Sequence, residues 1–129
     1  MPAHAPEEID SLFAQALNAG NVDALVALYE PQASLMPSPG TLVAGSAAIR
    51  EALAAFVAAK PAMQIAPRLV SQSGDLAVVT AKWQLAMTGQ DGKPAQMQGQ
   101  SVEVVRRQSD GRWLFVIDLP FGVEAGAKA

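Results

Sequence analysis

The feature that most constrains the fold is a pair of neighbouring β-patterned segments in the last third of the chain, residues 96–120. Asp110-Gly111 separates them, and an Asp-Gly pair between alternating apolar residues is the strongest short-range signal for a β-hairpin. A two-residue loop fixes the register, and counting outward then places Glu103 opposite Asp118. The hairpin therefore predicts that two acidic side chains face each other across adjacent strands.

Side chains alternate between the two faces of a strand, which divides the predicted hairpin into two sets. One face carries Ser101, Glu103, Val105, Leu114, Val116, Asp118 and Pro120. The other carries Val102, Val104, Trp113, Phe115, Ile117 and Leu119. Both sets are largely apolar, so we expect the two acids on a buried surface, with Cβ atoms roughly 5 Å apart.

The bulk properties exclude several classes of function. The 129 residues, half of them hydrophobic, predict a single compact domain over residues 1–129. A net charge of −3 gives no basic stripe, so no nucleic-acid partner is expected. Cysteine is absent and His4 is the one histidine, which argues against a cysteine nucleophile or a metal site; no cofactor is predicted. The sequence has no span of ~20 apolar residues and no signal-peptide pattern, which predicts a cytoplasmic protein without membrane partners.

Three helices are predicted before the strands. Pro6 and the two acids after it suit a helix start, and Gly20 suits its end. Asn21 is predicted to cap a second helix that runs to Tyr29, and Ser46 to cap a third. The buried stripe of the first helix is predicted to contain Ile9, Leu12, Phe13, Ala16 and Leu17, and that of the third Ile49, Leu53, Phe56 and Val57.

From Met63 onward the apolar period changes from that of a helix to two. Strands are predicted at about 63–72, 75–88, 96–108 and 112–120, after a short one around residues 33–36. This order is typical of an α+β fold, with helices that cover one face of a curved, mostly antiparallel sheet.

Several local sequences resemble those of a known superfamily. They are residues 18–25, Gly45 with residues 48–50, residues 91–93 before Gly99, and residues 110–118. In these the chain resembles the SnoaL-like and ketosteroid-isomerase-like branch of the nuclear transport factor 2-like superfamily. The resemblance implies a cone-shaped α+β fold with an apolar cavity between three N-terminal helices and the curved sheet. It also implies a homodimer through the outer sheet face, which we assign to the set with Trp113, Phe115 and Ile117.

The reactive residues of well-known relatives are only partly kept. By resemblance, the tyrosine of the ketosteroid isomerase site corresponds to Phe13, its general base to Pro37 and its second acid to Glu103. The epoxide hydrolase type has an acid on each of the last two strands, but its arginine, two residues before the first acid, corresponds to Ser101. The superfamily also contains dehydratases, cyclases and non-enzymatic binders, so the resemblance leaves the activity open.

The candidate site is the Glu103/Asp118 pair inside an apolar cavity. The predicted lining is Phe13, Leu17, Tyr29, Met36, Phe56, Val105, Leu114 and Val116. Three interpretations stay open: a proton-sharing catalytic pair, an Asp118 held by backbone amides or by Lys82 or Arg68, and a three-residue hairpin loop that separates the acids. Likewise Tyr29 either directs its hydroxyl into the cavity or packs in the core, and alternation leaves open whether Trp83 or Lys82 faces inward.

Two functions follow from these alternatives. The first is binding of a small apolar molecule, with acid–base chemistry of the isomerase, hydratase or cyclase type by Glu103 and Asp118. The second is a non-enzymatic ligand carrier or a dimerising interaction domain.

Overall fold

The computed structural model describes residues 2–89 and 91–122. A short 3₁₀ turn, Pro6–Glu8, precedes three helices: α1 Ile9–Asn18, α2 Val22–Val26 and α3 Ser46–Ala58. The strands are β1 Tyr29–Ser38, β2 Thr41–Ala44, β3 Ala62–Ser73, β4 Leu76–Thr88, β5 Pro94–Arg107 and β6 Trp113–Leu119. None of the helices in the described ranges has the length and apolar character needed to cross a membrane.

The six strands form one curved sheet in the order β2-β1-β6-β5-β4-β3. All neighbouring strands are antiparallel except β1 and β6, which are parallel. The helices pack on one face of this sheet, and the largest fully buried apolar side chains are Ile9, Leu25, Leu35, Ile49, Leu53, Trp113 and Phe115. The predicted α+β architecture is therefore confirmed.

The local signals place most of the element boundaries correctly. Gly20, with φ of 71°, lies just after α1, in the left-handed region that favours glycine. The Asn21 side chain accepts a hydrogen bond of 3.0 Å from the Ala24 backbone and so caps α2. Gly45, and not Ser46, occupies the cap position of α3, with φ of 90°. The four long strands lie within one to two residues of the predicted ranges.

The segment after α2 differs from the prediction. Helix α2 ends at Val26, so Tyr29 begins a ten-residue strand instead of ending a helix. Strand β1 contains Pro31 and Pro37, which made this stretch look irregular in the sequence. Each proline lies where the pairing of β1 with a neighbour shifts register, so its missing N–H breaks no regular ladder bond. The short strand β2 was not predicted.

The β5–β6 hairpin contains two irregularities that cancel. The Gln108 amide donates a hydrogen bond of 2.7 Å to the Arg112 carbonyl, so the loop has three residues and not two. The register then shifts near Val116, which is an extra residue in β6. Because each irregularity displaces the pairing by one residue, Glu103 still lies opposite Asp118, as predicted.

The same bulge overturns the predicted faces of β6. Trp113 and Phe115 are 2% and 1% exposed and belong to the core beneath the helices. Ile117 lies on the outer face and is 37% exposed. The prediction that these three side chains share a face was wrong, because the extra residue reverses the alternation between Phe115 and Ile117. Leu114 lies between Trp113 and Phe115 in the sequence. Because both of those side chains belong to the core, Leu114 lies on the opposite face of β6, away from the cavity.

Candidate functional site

Asp118 lies inside the sheet, where β6 is flanked by β1 and β5. The hydroxyl of Tyr29, at the start of β1, donates a hydrogen bond of 2.5 Å to Asp118 Oδ2, and both side chains are buried. Burial raises the pKa of Asp118 to about 7, the Tyr29 hydrogen bond opposes this rise, and the negative charge of Asp10 adds to it. Burial and then the Asp118 charge raise the pKa of Tyr29 well above its ordinary value, so the tyrosine keeps its proton.

Glu103 is 2% exposed and lies next to a second buried acid, Asp10 of α1. Within the described residues, neither Glu103 oxygen has a well-aligned hydrogen-bond donor when the acids are ionised, and the nearby Ser101 hydroxyl only partly offsets the rise in the Glu103 pKa. The two carboxyl groups lie within hydrogen-bonding reach, and such a bond requires a proton on one of them, since an ionised carboxylate only accepts. Burial, followed by Asp10 and then Asp118, raises the pKa of Glu103 well above its ordinary value. Glu103 and Asp10 therefore share a proton.

Asp10 is the functional candidate that the sequence analysis missed. It lies three residues before Phe13 and seven before Leu17, so helical spacing puts it on the buried stripe of the first helix. Burial raises its pKa, and the hydrogen bond with Glu103 acts in the opposite direction. A charged residue in register with an apolar stripe was the available signal.

The acids lie at one end of a cavity of about 60 Å³ between the helices and the sheet. Its polar lining consists of Asp10, Ser101, Glu103 and Asp118. Its apolar walls include Phe13, Leu17, Phe56, Trp83, Phe115 and Phe121. Met97, which is 37% exposed, also borders the cavity and marks its outer end. Small-molecule sites usually have a few hundred Å³, so the cavity in this shape suits only a very small ligand.

Three of the predicted lining residues, Phe13, Leu17 and Phe56, border the cavity. Tyr29 reaches it only through its bond to Asp118. The remaining four predictions are wrong about position. Met36 alternates with the core residue Leu35 and lies on the other face of β1, and Val105 is packed against the core beside Phe115. Leu114 and Val116 were displaced from the cavity face by the bulge in β6.

Trp83 faces the cavity and Lys82 faces outward, which resolves the alternative left open by the sequence. The Trp83 indole N–H donates a hydrogen bond of 2.7 Å to the Pro120 carbonyl, and its ring meets Phe121 edge-on at 5.7 Å. The indole lies directly over Gly99, where a Cβ atom would come within 2.7 Å of the ring. These contacts close the cavity beside the last described residues.

The hydrogen-bonding partner of Asp118 is also settled. Lys82 and Arg68, which one of the open interpretations placed beside Asp118, are both exposed, and Tyr29 is the donor instead. Arg68 is the extra residue of a bulge in β3, which interrupts the alternation of that strand. In the part of the chain that the structure describes, no three His, Cys, Asp or Glu side chains are grouped so that they could hold a metal ion.

A wider groove of about 1060 Å³ lies over β3, β4 and β5. Exposed polar side chains such as Gln64, Lys82 and Gln100 form much of its lining. It is larger than the acid cavity but contains none of the three buried carboxyl groups. The three buried carboxyl groups border the small cavity instead.

Solved structures with the same architecture identify the class of fold. The ketosteroid isomerase-like protein of Erwinia carotovora atroseptica has a TM-score of 0.78 at 21% identity, over 88% of this chain and 89% of that chain. A nuclear transport factor 2-like superfamily protein of Salmonella enterica Typhimurium has a TM-score of 0.77 at 18% identity, over 87% and 84%. A proposed dehydratase of that family from Streptomyces avermitilis has a TM-score of 0.74 at 19% identity, over 88% and 90%. The fold is thus nuclear transport factor 2-like.

The sequence itself gives the family. The profile of the SnoaL-like domain matches residues 9–116, and the chain belongs to that family. No curated protein is significantly similar to it in sequence. Because the structural relatives are less than 25% identical, their likeness establishes the fold alone.

Proposed function

We propose that the protein binds a small, largely apolar molecule in the acid cavity and moves a proton on it. The observation that carries this proposal is the Glu103 carboxyl group, which is buried, borders the cavity and, in the described part of the chain, has no well-aligned donor for its ionised form beside Asp10 and Ser101. A buried polar group without a partner is costly, and such groups concentrate at functional sites.

The environments of Glu103 and Asp118 suit different roles. Asp118 has a pKa of about 7 and keeps one oxygen outside the Tyr29 bond, so it can accept a proton near neutral pH. Burial, and then Asp10 beside it, raises the pKa of Glu103 well above its ordinary value, so Glu103 can donate a hydrogen bond or a proton to the ligand. Two acids held in different environments within one pocket are typical of acid–base catalysis.

Hydrogen–deuterium exchange tests this proposal without knowledge of the substrate. The protein is incubated in D₂O with a panel of small ketones, and loss of the proton next to the carbonyl is followed by ¹H NMR. The proposal predicts exchange that falls at least about 100-fold in Asp118→Asn and in Glu103→Gln, the usual scale of one acid–base group. Asp23→Asn is the matched control, because the Asp23 side chain is 86% exposed.

Exchange that is equal in the wild type and in both cavity variants would contradict the catalytic part. Binding of the same ketones that is unchanged by both substitutions would contradict the site itself. Stability must be measured alongside, since neutral amides at these positions are expected to strengthen the fold near neutral pH.

A second function, a dimerising interaction domain, is supported by two observations. The cavity of about 60 Å³ is far below the usual few hundred Å³ of a small-molecule site. On the outer face of the sheet, Val78, Val104 and Ile117 lie side by side on three adjacent strands, and Val78 and Ile117 are 38% and 37% exposed. A homodimer through this face would cover these three side chains. This patch replaces the dimer face that the sequence analysis assigned to Trp113, Phe115 and Ile117.

Light scattering coupled to size-exclusion chromatography tests the dimer. A dimer through this face predicts that Val104→Lys shifts the molar mass to that of one chain. Leu42→Lys is the control, because Leu42 is 63% exposed on β2, away from the patch. A monomeric wild type, or a dimer that both variants preserve, would contradict this interface.

A further inference from the structure

We infer that the ligand of the acid cavity carries a protonated amine, which lies between Glu103 and Asp118 with its carbon atoms against the aromatic walls. This inference rests on the proposed function, because it names the ligand class of the same cavity. The amine-binding site would also exist if the protein transfers no proton to or from a carbon atom.

The first argument is the balance of charge. Three carboxyl groups from α1, β5 and β6 reach the cavity, and none of the residues that border it is Lys, Arg or His. The described arginines at positions 50, 106, 107 and 112 make ion pairs with exposed or half-buried acids elsewhere. From β3, β4 and α3 the cavity receives apolar side chains, so no titratable group faces the acids from those elements. A cationic ligand would supply the missing counter-charge.

The second argument is the balance of donors and acceptors. The buried side-chain atoms left without a partner are Asp10 Oδ2, Ser101 Oγ and both carboxyl oxygens of Glu103. The three carboxyl oxygens accept, the Ser101 hydroxyl can both accept and donate, and Tyr29 is the donor that serves Asp118. A primary ammonium group has three N–H donors and no acceptor, so it complements this set.

The third argument is the composition of the walls. Phe13, Phe56, Trp83, Phe115 and Phe121 border the cavity. Aromatic faces attract cations within about 6 Å and also accept alkyl carbons. The volume of about 60 Å³ restricts the ligand to a few non-hydrogen atoms while Trp83 and Phe121 stay in place.

Amine binding must be coupled to proton release. A bound ammonium favours an ionised carboxylate beside it, so a proton that Asp118 holds passes to the buffer on binding. Asp118, with a pKa of about 7, is the group whose ionisation falls in the range from pH 6 to pH 8. Its ionised fraction rises from about one tenth at pH 6 to about nine tenths at pH 8, so affinity should rise about tenfold. An alkylamine stays protonated throughout this range.

The test compares ethylamine hydrochloride with ethanol, which has the same carbon skeleton and no charge. ¹⁵N-labelled protein is titrated at about pH 6 and pH 8 and matched ionic strength, with the Trp83 indole N–H as the reporter at the cavity. We expect saturable shifts with ethylamine in the millimolar range, the limit for three non-hydrogen atoms. Binding should be about tenfold tighter at pH 8, and at least tenfold weaker with ethanol. Glu103→Gln and Asp118→Asn should each weaken amine binding at least tenfold, while Asp23→Asn leaves it unchanged.

Equal affinities for ethylamine and ethanol would overturn the inference, as would amine binding that does not change between pH 6 and pH 8. Absence of any saturable shift with the amine would overturn it as well. If ethylamine does not bind while ketones still exchange deuterium in a way that depends on Asp118, the inference is wrong and the proposed function remains. If the amine binds and no ketone exchanges, the cavity is an amine-binding site without that chemistry.

Discussion

Replacing Asp118 by asparagine should stabilise the protein at pH 8 and have a small opposite effect at pH 4. Asparagine has nearly the shape of the protonated acid and still offers an oxygen to the Tyr29 hydroxyl. Because the pKa of Asp118 is raised on folding, its stabilising contribution is complete below the unfolded value of 3.8 and is lost as pH rises to the folded value of about 7. The substitution removes that loss.

The size of the effect follows from the shift. A rise of roughly three pKa units at about 1.36 kcal/mol each makes the ionised Asp118 cost about 4 kcal/mol at pH 8. The weaker hydrogen bond from Tyr29 to a neutral amide returns about 1–2 kcal/mol. The net gain is therefore about 2–3 kcal/mol, or about 10 °C in Tm for a chain of this length. By the same arithmetic, the unfolding free energies of the wild type and of Asp118→Asn should be equal near pH 5.

Urea unfolding at several pH values between 4 and 8 measures this directly. The difference in unfolding free energy between the variant and the wild type should grow by up to about 1.4 kcal/mol per pH unit between pH 5 and 6.5, the slope of one proton. Because the Asp118 charge also raises the pKa of Glu103, the difference reports the titration of the coupled acids together. A wild type whose stability rises from pH 5 to 7, or a variant no more stable at pH 8, would refute the reasoning.

Three further substitutions test the surroundings of the site. Tyr29→Phe removes the donor to Asp118, so the pKa of Asp118 should rise further and stability at pH 8 should fall by about 1–3 kcal/mol, measured by urea unfolding. Gly99→Ala should displace the Trp83 indole, cost about 1–3 kcal/mol and shift the tryptophan fluorescence to longer wavelength. Asn21→Ala removes the cap of α2 and should cost about 1 kcal/mol with no change in any cavity property; a larger loss would mean the cap also supports the sheet.

The sequence predicted most of the fold because its local signals agree with the tertiary structure. Apolar periodicity, glycines after helices and Asp-Gly turns gave three helices and four strands. The signals failed at β1, where Pro31 and Pro37 hide a strand by lying at register shifts. A proline in the sequence shows that one backbone N–H is missing. It does not show whether the sheet has a hydrogen bond to make at that position.

The Glu103–Asp118 pairing was predicted correctly, although the two-residue loop from which it was derived is not the loop that the structure has. The hairpin loop has three residues, and the bulge near Val116 restores the register. Nothing in the apolar run around Val116 marks a bulge, because both faces of that strand are buried or half-buried. Asp10 was missed for a different reason: its pairing with Glu103 depends on how α1 lies across the sheet, which periodicity does not give.

The central claim is that three buried acids form a site that holds and releases protons near neutral pH. Protein labelled with ¹³C in its Asp and Glu carboxyl groups, titrated by NMR and assigned with Asp118→Asn and Glu103→Gln, tests it most directly. The account predicts one Asp carboxyl that titrates near pH 7 and a Glu carboxyl that remains protonated well above its ordinary pKa. If every side-chain carboxyl group titrates near its ordinary value of about 4, the acids are not held in the dry, coupled cluster described, and the proposed function fails with it.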